Sequence, residues 1–204
     1  LNKAVFVNNN GADLIDFCPD HMRIVNGNTL TAALVYKTIK ENIDNDTKML
    51  AFTGATSSIG RAILSRLTIE LPTSTIIYVY TKSHNRFKTL PNYERCIHVT
   101  DFEQIPEECT VYVTGSSTFK DHKNGITLID FAAPSNEDVI SSNTSIRYIQ
   151  PASIEKPHNK ICDMIFCKLK DKTIPACHIA TMIHAAEDLD QHEVGDVTIF
   201  LSFF

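Results

Sequence analysis

The feature that most constrains this chain is a glycine-bearing loop joining an apolar strand to a helix. The run Lys48-Met49-Leu50-Ala51-Phe52 leads directly into Thr53-Gly54-Ala55-Thr56-Ser57-Ser58-Ile59-Gly60, and Arg61-Ala62-Ile63-Leu64 continues with helical spacing. Strand, glycine turn and helix in that order are what a dinucleotide diphosphate site requires. Gly54 permits the tight turn and Gly60 lets the helix pack closely on the sheet, while amides at the helix start receive a pyrophosphate. Thr53, Gly54, Thr56, Ser57, Ser58, Ile59 and Gly60 are therefore the candidate phosphate-loop residues. Ser58 stands where the usual pattern carries its middle glycine, so the backbone approaches phosphate less closely there.

Apolar alternation or short apolar runs bounded by turn residues predict strands at Ala4–Val7, Met22–Val25, Lys48–Phe52, Thr75–Thr81, Cys96–Val99, Thr110–Thr114, Thr127–Ala132 and Ile146–Ile149. Helices are predicted between several of them. Asn28 is read as the cap of Thr29–Lys40, with Leu30, Leu34 and Ile39 in one stripe, and Ser57 or Ser58 as the cap of Ile59–Glu70. A last helix is predicted from about Pro175 to Asp188, with Thr173 as its cap and Pro175 in the first turn. The alternation implies an α/β, Rossmann-like, doubly wound fold with a mainly parallel sheet covered on both faces. One such domain is expected over residues 1–204, with a nucleotide-binding core at about 46–150 and a C-terminal cysteine-helix segment at about 160–204. The polar, proline-flanked stretch from Pro151 to Lys160 is read as the join between them. A first residue of Leu1 and a stop at Phe203-Phe204 suggest a fragment of something longer.

In such folds the end of the second strand, roughly 20 residues beyond the loop, selects the cofactor: an acid grips the ribose hydroxyls of NAD, and cations accept the extra phosphate of NADP. Here it reads Tyr80-Thr81-Lys82-Ser83-His84-Asn85-Arg86. Lys82 and Arg86, with no acid nearby, favour NADP(H); the alternative is a solvated basic turn. Tyr78 and Lys82 match the Tyr-x-x-x-Lys spacing of short-chain dehydrogenases, but that pair needs a helix and these sit on a strand, so the match is read as coincidence.

A formal net charge of -5 provides no basic excess for phosphate backbones, and nucleic acid is not expected as a main partner. The six cysteines are scattered and form no CxxC pair, which suits a reducing compartment. No stretch approaches the ~20 apolar residues of a membrane helix, and a cytoplasmic location follows as the expectation.

Chemistry has a second candidate seat in Pro175-Ala176-Cys177-His178-Ile179-Ala180-Thr181-Met182-Ile183-His184. Cys177 falls in the first turn, where helix amides and the dipole favour a thiolate nucleophile. Cys177, Thr181 and His184 share one stripe, whereas His178 points away. Two turns are too far for a direct thiol–imidazole bond, so His184 would act on a substrate along the stripe, for example as a proton donor to a carbonyl oxygen. The plainer reading is a cysteine packed on the sheet with a histidine at its edge. Cys177, His184, His192 and Glu193 match no familiar zinc spacing, and no metal is expected.

Val25-Asn26-Gly27-Asn28-Thr29-Leu30, the Thr53–Gly60 loop, Asp130-Phe131-Ala132-Ala133-Pro134, and Ala176-Cys177-His178 with His192-Glu193-Val194-Gly195 occur in this order over most of the chain. Together they resemble the C-terminal domain of plant-type very-long-chain aldehyde decarbonylases of the eceriferum wax family. The same architecture is similar to cyanobacterial long-chain acyl-carrier-protein reductases. That similarity implies that Cys177 takes an acyl group as a thioester, that NADPH delivers hydride, and that a fatty aldehyde leaves. A long acyl thioester or fatty aldehyde is then the implied partner. The family's N-terminal membrane half, whose histidine clusters hold two irons, has no counterpart here, so cleavage of a carbon–carbon bond is not expected of this segment alone. A full-length member would sit at the cytosolic face of the endoplasmic reticulum. The long helix expected after Gly195 is also missing. Two readings follow: an NADPH-dependent acyl-thioester reductase for wax or alkane synthesis, or a non-catalytic nucleotide-binding or partner-docking module of a membrane di-iron enzyme. A short-chain dehydrogenase acting on a hydroxyl is disfavoured by the lack of a helical Tyr-x-x-x-Lys pair.

Overall fold

The apolar runs assemble into a six-stranded sheet, every ladder of which is parallel. The structure is a computed structural model that describes residues 9–44, 47–117, 119, 124–140, 145–155 and 173–197. In chain order the strands are β1 (Met49–Thr53), β2 (Ile76–Tyr80), β3 (Cys96–Val99), β4 (Val111–Thr114), β5 (Thr127–Asp130) and β6 (Arg147–Ile149). Their spatial order is β3-β2-β1-β4-β5-β6, the doubly wound arrangement of a Rossmann-like α/β fold. The strand expected at Ala4–Val7, together with Cys162, Cys167 and the end from Thr198 to Phe204, lies outside the described residues.

Alternation along each strand divides the core into two layers. Leu50 and Phe52 of β1, Ile77 and Val79 of β2 and Val111 and Val113 of β4 face a layer made by α1 (Asn28–Asn42) and α2 (Ser58–Glu70). Ala51, Tyr78, Tyr112 and Leu128 face the other, where Ile105, Phe119 and Ile140 pack. Helix α2 buries Ile63, Leu64 and Leu67, each worth roughly 1.5–3 kcal/mol of apolar burial. Across the helix pair, the Tyr36 hydroxyl bonds Glu70, which also meets Arg66 at 3.2 Å and Lys40 at 3.8 Å. Burial, and then the Glu70 carboxylate, hold the Tyr36 phenol above its ordinary range.

Several boundaries differ from expectation. Met22–Val25 is not a strand: Val25 forms an isolated parallel bridge with Glu193. Asn28 is not the cap of α1 but its first residue; Gly27 occupies the cap position at φ 67° and no side chain of its own caps the helix. Leu30 and Leu34 are only half-buried, the stripe being centred on Ala32, Val35, Tyr36 and Ile39. Thr173 lies in a strand rather than at a cap. It belongs to β8 (Thr173–Pro175), antiparallel to β7 (Ser153–Glu155), and α5 (Ala176–Ala186) starts directly from β8 with Pro175 in the cap position. Short helices α3 (His84–Lys88) and α4 (Glu137–Ile140) were not anticipated, because five or fewer residues carry no periodicity.

Candidate functional site

The chain leaves β1 toward β2 and leaves β4 toward β5, so the carboxyl ends of β1 and β4 flank the point where the strand order reverses. Ligands of open α/β sheets bind in the crevice at such a point. Two glycines shape it. Gly54 has φ +75°, and a Cβ on it would lie 2.8 Å from Gly115 Cα; a Cβ on Gly60 would lie 2.3 Å from Gly54 O. The β1 and β4 loops and the α2 start therefore meet backbone to backbone. Beneath them the hydroxyls of Thr53 and Thr114 bond at 2.7 Å.

Ser57 is the cap of α2, as one of the two expected alternatives. Its Oγ accepts from Gly60 N at 3.0 Å and donates to Gly54 O at 2.9 Å. The amides of Ser58 and Ile59 have no hydrogen-bond partner among the described residues. Two donors at the positive end of a helix thus remain for an anion. The Ser58 hydroxyl accepts from Asn10 Nδ2 at 3.2 Å, which the sequence did not reveal.

At the carboxyl end of β2, Lys82 and Arg86 are both exposed and make no ion pair among the described residues. Ser83 caps α3 by accepting from Arg86 N at 3.3 Å, which gathers Lys82, His84 and Arg86 into one turn. His98 reaches that turn: its Nε2 lies 2.8 Å from Thr81 O, its Nδ1 lies 3.2 Å from His84 Nδ1, and its ring stacks on Phe87. Tyr78 sits on β2 and Lys82 beyond its end, so the Tyr-x-x-x-Lys spacing has no helix to act through.

Cys177 is the second residue of α5 and half-buried. A Cβ on Gly27 would fall 2.4 Å from Cys177 Cα, so the starts of α1 and α5 touch. Because α1 ends at Asn42 and β1 begins at Met49, the start of α1 overhangs the carboxyl edge of the sheet. A relay of contacts spans that edge: Asn26 Nδ2 donates to Asn10 O at 3.3 Å, and Asn10 holds Ser58. The Cys177 and phosphate-loop segments are therefore neighbours at one rim. His178 is exposed, as is Thr181 on the Cys177 stripe.

Below Cys177, Thr181 and His184 each take a partner other than the thiol. Thr181 Oγ1 turns back to Cys177 O at 3.3 Å, and no hydrogen bond joins Cys177 to His184. His184 Nε2 instead lies 3.2 Å from Glu193 Oε2. The other oxygen of Glu193 accepts from Thr29 N at 3.2 Å, and Asn26 Oδ1 accepts from Asn28 N at 2.9 Å. Glu193 and Asn26 thus supply the cap that α1 lacks.

Beyond β5, Asp130 is fully buried; its Oδ1 accepts from Ala132 N at 2.8 Å, and its Oδ2 accepts from Asn136 N at 2.7 Å, Asn136 Nδ2 at 3.1 Å and the Tyr148 hydroxyl at 2.9 Å. Burial, and then the Asp130 carboxylate, raise the Tyr148 phenol above its ordinary range. The turn so held carries Phe131, whose ring would lie 2.4 Å from a Cβ on Gly115. Gly115 had a readable signal: Val113-Thr114-Gly115 repeats the strand-end pattern of Phe52-Thr53-Gly54.

Cys96 begins β3, at the opposite edge of the sheet. Burial pushes its thiol up to about 11. A raised thiol is protonated at neutral pH, so alkylation of Cys96 by iodoacetamide is expected to be slow at pH 8 and to rise about tenfold per pH unit toward pH 11. Mass spectrometry of labelled protein checks this; rapid labelling of Cys96 at pH 8 contradicts the burial.

No family model matches the chain. The very-long-chain aldehyde decarbonylase GL1-2 of Oryza sativa subsp. indica is 26% identical over 215 residues, covering 98% of this chain and 32% of its own length. The very-long-chain aldehyde decarbonylase GL1-1 of the same subspecies is 25% identical over 209 residues, again covering 98% of this chain and 32% of its own length. The resemblance drawn from the four segments is thus borne out as weak homology along nearly the whole chain, which spans about a third of these relatives. A solved quinone oxidoreductase of Pseudomonas syringae pv. Tomato DC3000 is similar at 12% identity and a TM-score of 0.41, covering 80% of this chain and 51% of that one. Among the described residues no helix is long and apolar enough to cross a membrane.

Proposed function

We propose that this chain binds NADP(H) at the reversal point of its sheet and uses Cys177 to reduce a long-chain acyl thioester to a fatty aldehyde. The observation that carries the cofactor half is the pair of unpartnered amides, Ser58 and Ile59, at a helix start lying on the carboxyl rim. A diphosphate would complete their hydrogen bonding, with Thr53, Gly54, Thr56, Ser57 and Gly60 forming a low wall beneath it. Lys82 and Arg86 stand unpaired where the 2′-phosphate of NADP would arrive. For the reductive half, support comes from Cys177 sharing that rim, and from weak homology to proteins named as aldehyde decarbonylases. In the first step Cys177 sulfur attacks the thioester carbonyl and the carrier thiol leaves, taking a proton. NADPH, held by the Thr53–Gly60 loop with Lys82 and Arg86, would supply the hydride that displaces the Cys177 sulfur from the acyl carbon as a thiolate, leaving a fatty aldehyde. His184, whose Nε2 is turned to Glu193, is proposed as the proton donor to the carbonyl oxygen once that contact opens. The chain on this reading works at the cytosolic side of the membrane that carries the di-iron half.

A second reading, a nucleotide-binding or partner-docking module without turnover, is favoured by one observation: Asn10 rests on Ser58, where a glycine would leave more room. The two readings separate in one experiment. NADPH and NADH are titrated by fluorescence, and aldehyde release from a long-chain acyl-CoA is followed with NADPH. NADPH is expected to bind about tenfold more tightly than NADH, a difference of about 1.4 kcal/mol, and Lys82→Glu to erase that preference. Turnover should vanish in Cys177→Ser while NADPH affinity stays. Equal affinities in wild type and Lys82→Glu refute the NADP preference; binding without turnover supports the module.

A further inference from the structure

Two histidines touch at the basic turn after β2. His98 is held on three sides: its Nε2 lies 2.8 Å from Thr81 O, its Nδ1 lies 3.2 Å from His84 Nδ1, and its ring stacks on buried Phe87 at 4.6 Å and 19°. His84 is exposed, on the same turn as Lys82 and Arg86. Charged groups on the neighbouring segments are Lys88 of α3, Arg61 of α2, whose Nη1 donates to Thr89 Oγ1 at 3.3 Å, and Asp101 and Glu103 after β3, where Asp101 Oδ1 accepts from Glu103 N at 3.4 Å. None of them makes an ion pair with either imidazole among the described residues.

A proton count fixes what this pair presents. Each neutral imidazole carries a single ring proton. Thr81 O can only accept, so one of the pair's protons sits on His98 Nε2. The contact between the Nδ1 atoms needs the other proton between them. While both rings are neutral, His84 Nε2 is therefore bare and can only accept. A further proton has one place to go: whichever ring holds the bridging proton, the addition leaves His84 Nε2 as an N–H donor. The neutral pair presents a lone pair, and the charged pair presents a donor and a positive charge.

We propose that His84 recognises the 2′-phosphate of NADP together with Lys82 and Arg86, and that it does so by taking up a proton. This rests on the NADP(H) reading of the turn, and adds to it the residue and the proton that tell a phosphate from a hydroxyl. A phosphate dianion can only accept, so it is repelled by the bare Nε2 and gains a charge-assisted hydrogen bond from the protonated one. The ribose hydroxyl of NAD donates as well as accepts and suits the neutral pair, so NAD draws in no proton. His98 is a positioning residue: it ties up His84 Nδ1 and leaves Nε2 as the nitrogen that responds.

Calorimetric titrations of the purified protein with NADP and with NAD at about pH 7.5, in buffers of different ionisation enthalpy, read the protons taken up per nucleotide bound. A phosphate monoester is already largely dianionic at that pH, and any proton it retains is released on meeting cations, which has the opposite sign. NADP is expected to take up at least about 0.3 proton more than NAD, the diphosphate common to both cancelling. His84→Gln, at an exposed position, should lose that uptake and weaken NADP about tenfold while leaving NAD unchanged. His84→Lys, which is charged at this pH without ligand, should restore NADP affinity but not the uptake. Tighter binding of NADP than NAD with equal proton uptake overturns this proposal alone, as does uptake that persists in His84→Gln. Failure of the protein to prefer NADP overturns it together with the reading on which it rests.

Discussion

Gly54→Val is expected to lower stability by about 2–5 kcal/mol and, on the proposed reading, to eliminate dinucleotide binding. Two costs combine. A β-branched residue forced to φ +75° pays the left-handed penalty of about 1–2 kcal/mol. Its Cβ would also lie 2.8 Å from the Cα of Gly115, and backbone must move to relieve that, typically for about 1–3 kcal/mol. The movement would separate the β1 and β4 loops at the crevice itself. Gly125→Val isolates the first cost, because Gly125 has φ +74° and nothing within 4 Å of its added Cβ. Urea denaturation of the pair, with NADPH titration, measures the difference. If Gly54→Val is no more destabilised than Gly125→Val, the close approach of the two loops is wrong.

Asp130→Ala is expected to cost roughly 3–5 kcal/mol, a large share of the 5–15 kcal/mol that holds a typical domain together. The substitution strands two backbone amides, the Asn136 side chain and the Tyr148 hydroxyl in a buried site. Each stranded donor costs about 1–3 kcal/mol before relaxation. Tyr148→Phe removes one donor and leaves Asp130 with three, so a loss of only about 1 kcal/mol is expected. Denaturation midpoints at unchanged m-values would check both. Because the same network holds Phe131 against Gly115, Asp130→Ala should also weaken NADPH more than Tyr148→Phe does. Stability of Asp130→Ala within 1 kcal/mol of wild type would show that the turn is held by something else.

Much of the sheet was legible because strands buried on both faces write themselves as short apolar runs. The runs around Phe52, Val79, Val99, Val113, Ile129 and Ile149 all became parallel strands. The misreadings share a cause. Met22–Val25 has strand composition but among the described residues finds only Glu193 to pair with, and composition carries no information about partners. Asn28 has the chemistry of a cap, yet the amides at the α1 start are served by Asn26 and by Glu193, which arrives from the far end of the chain. Leu30 reads as core by periodicity but is only half-buried, the buried stripe of α1 running through Ala32, Val35, Tyr36 and Ile39.

Local order is what the residues specify unaided: strand, glycine turn and helix at Thr53–Gly60, the Ser57 cap, and a basic turn after β2. These depend on backbone sterics and on contacts within a few residues, which neighbouring side chains fully define. Which strands lie adjacent, and hence where the order reverses, is decided only when both faces are covered. The same holds for the meeting of Gly27 with Cys177, of Asn10 with Ser58 and of Thr29 with Glu193. Those contacts join segments far apart in the chain, and their energies exist only after the core has brought the segments to one rim.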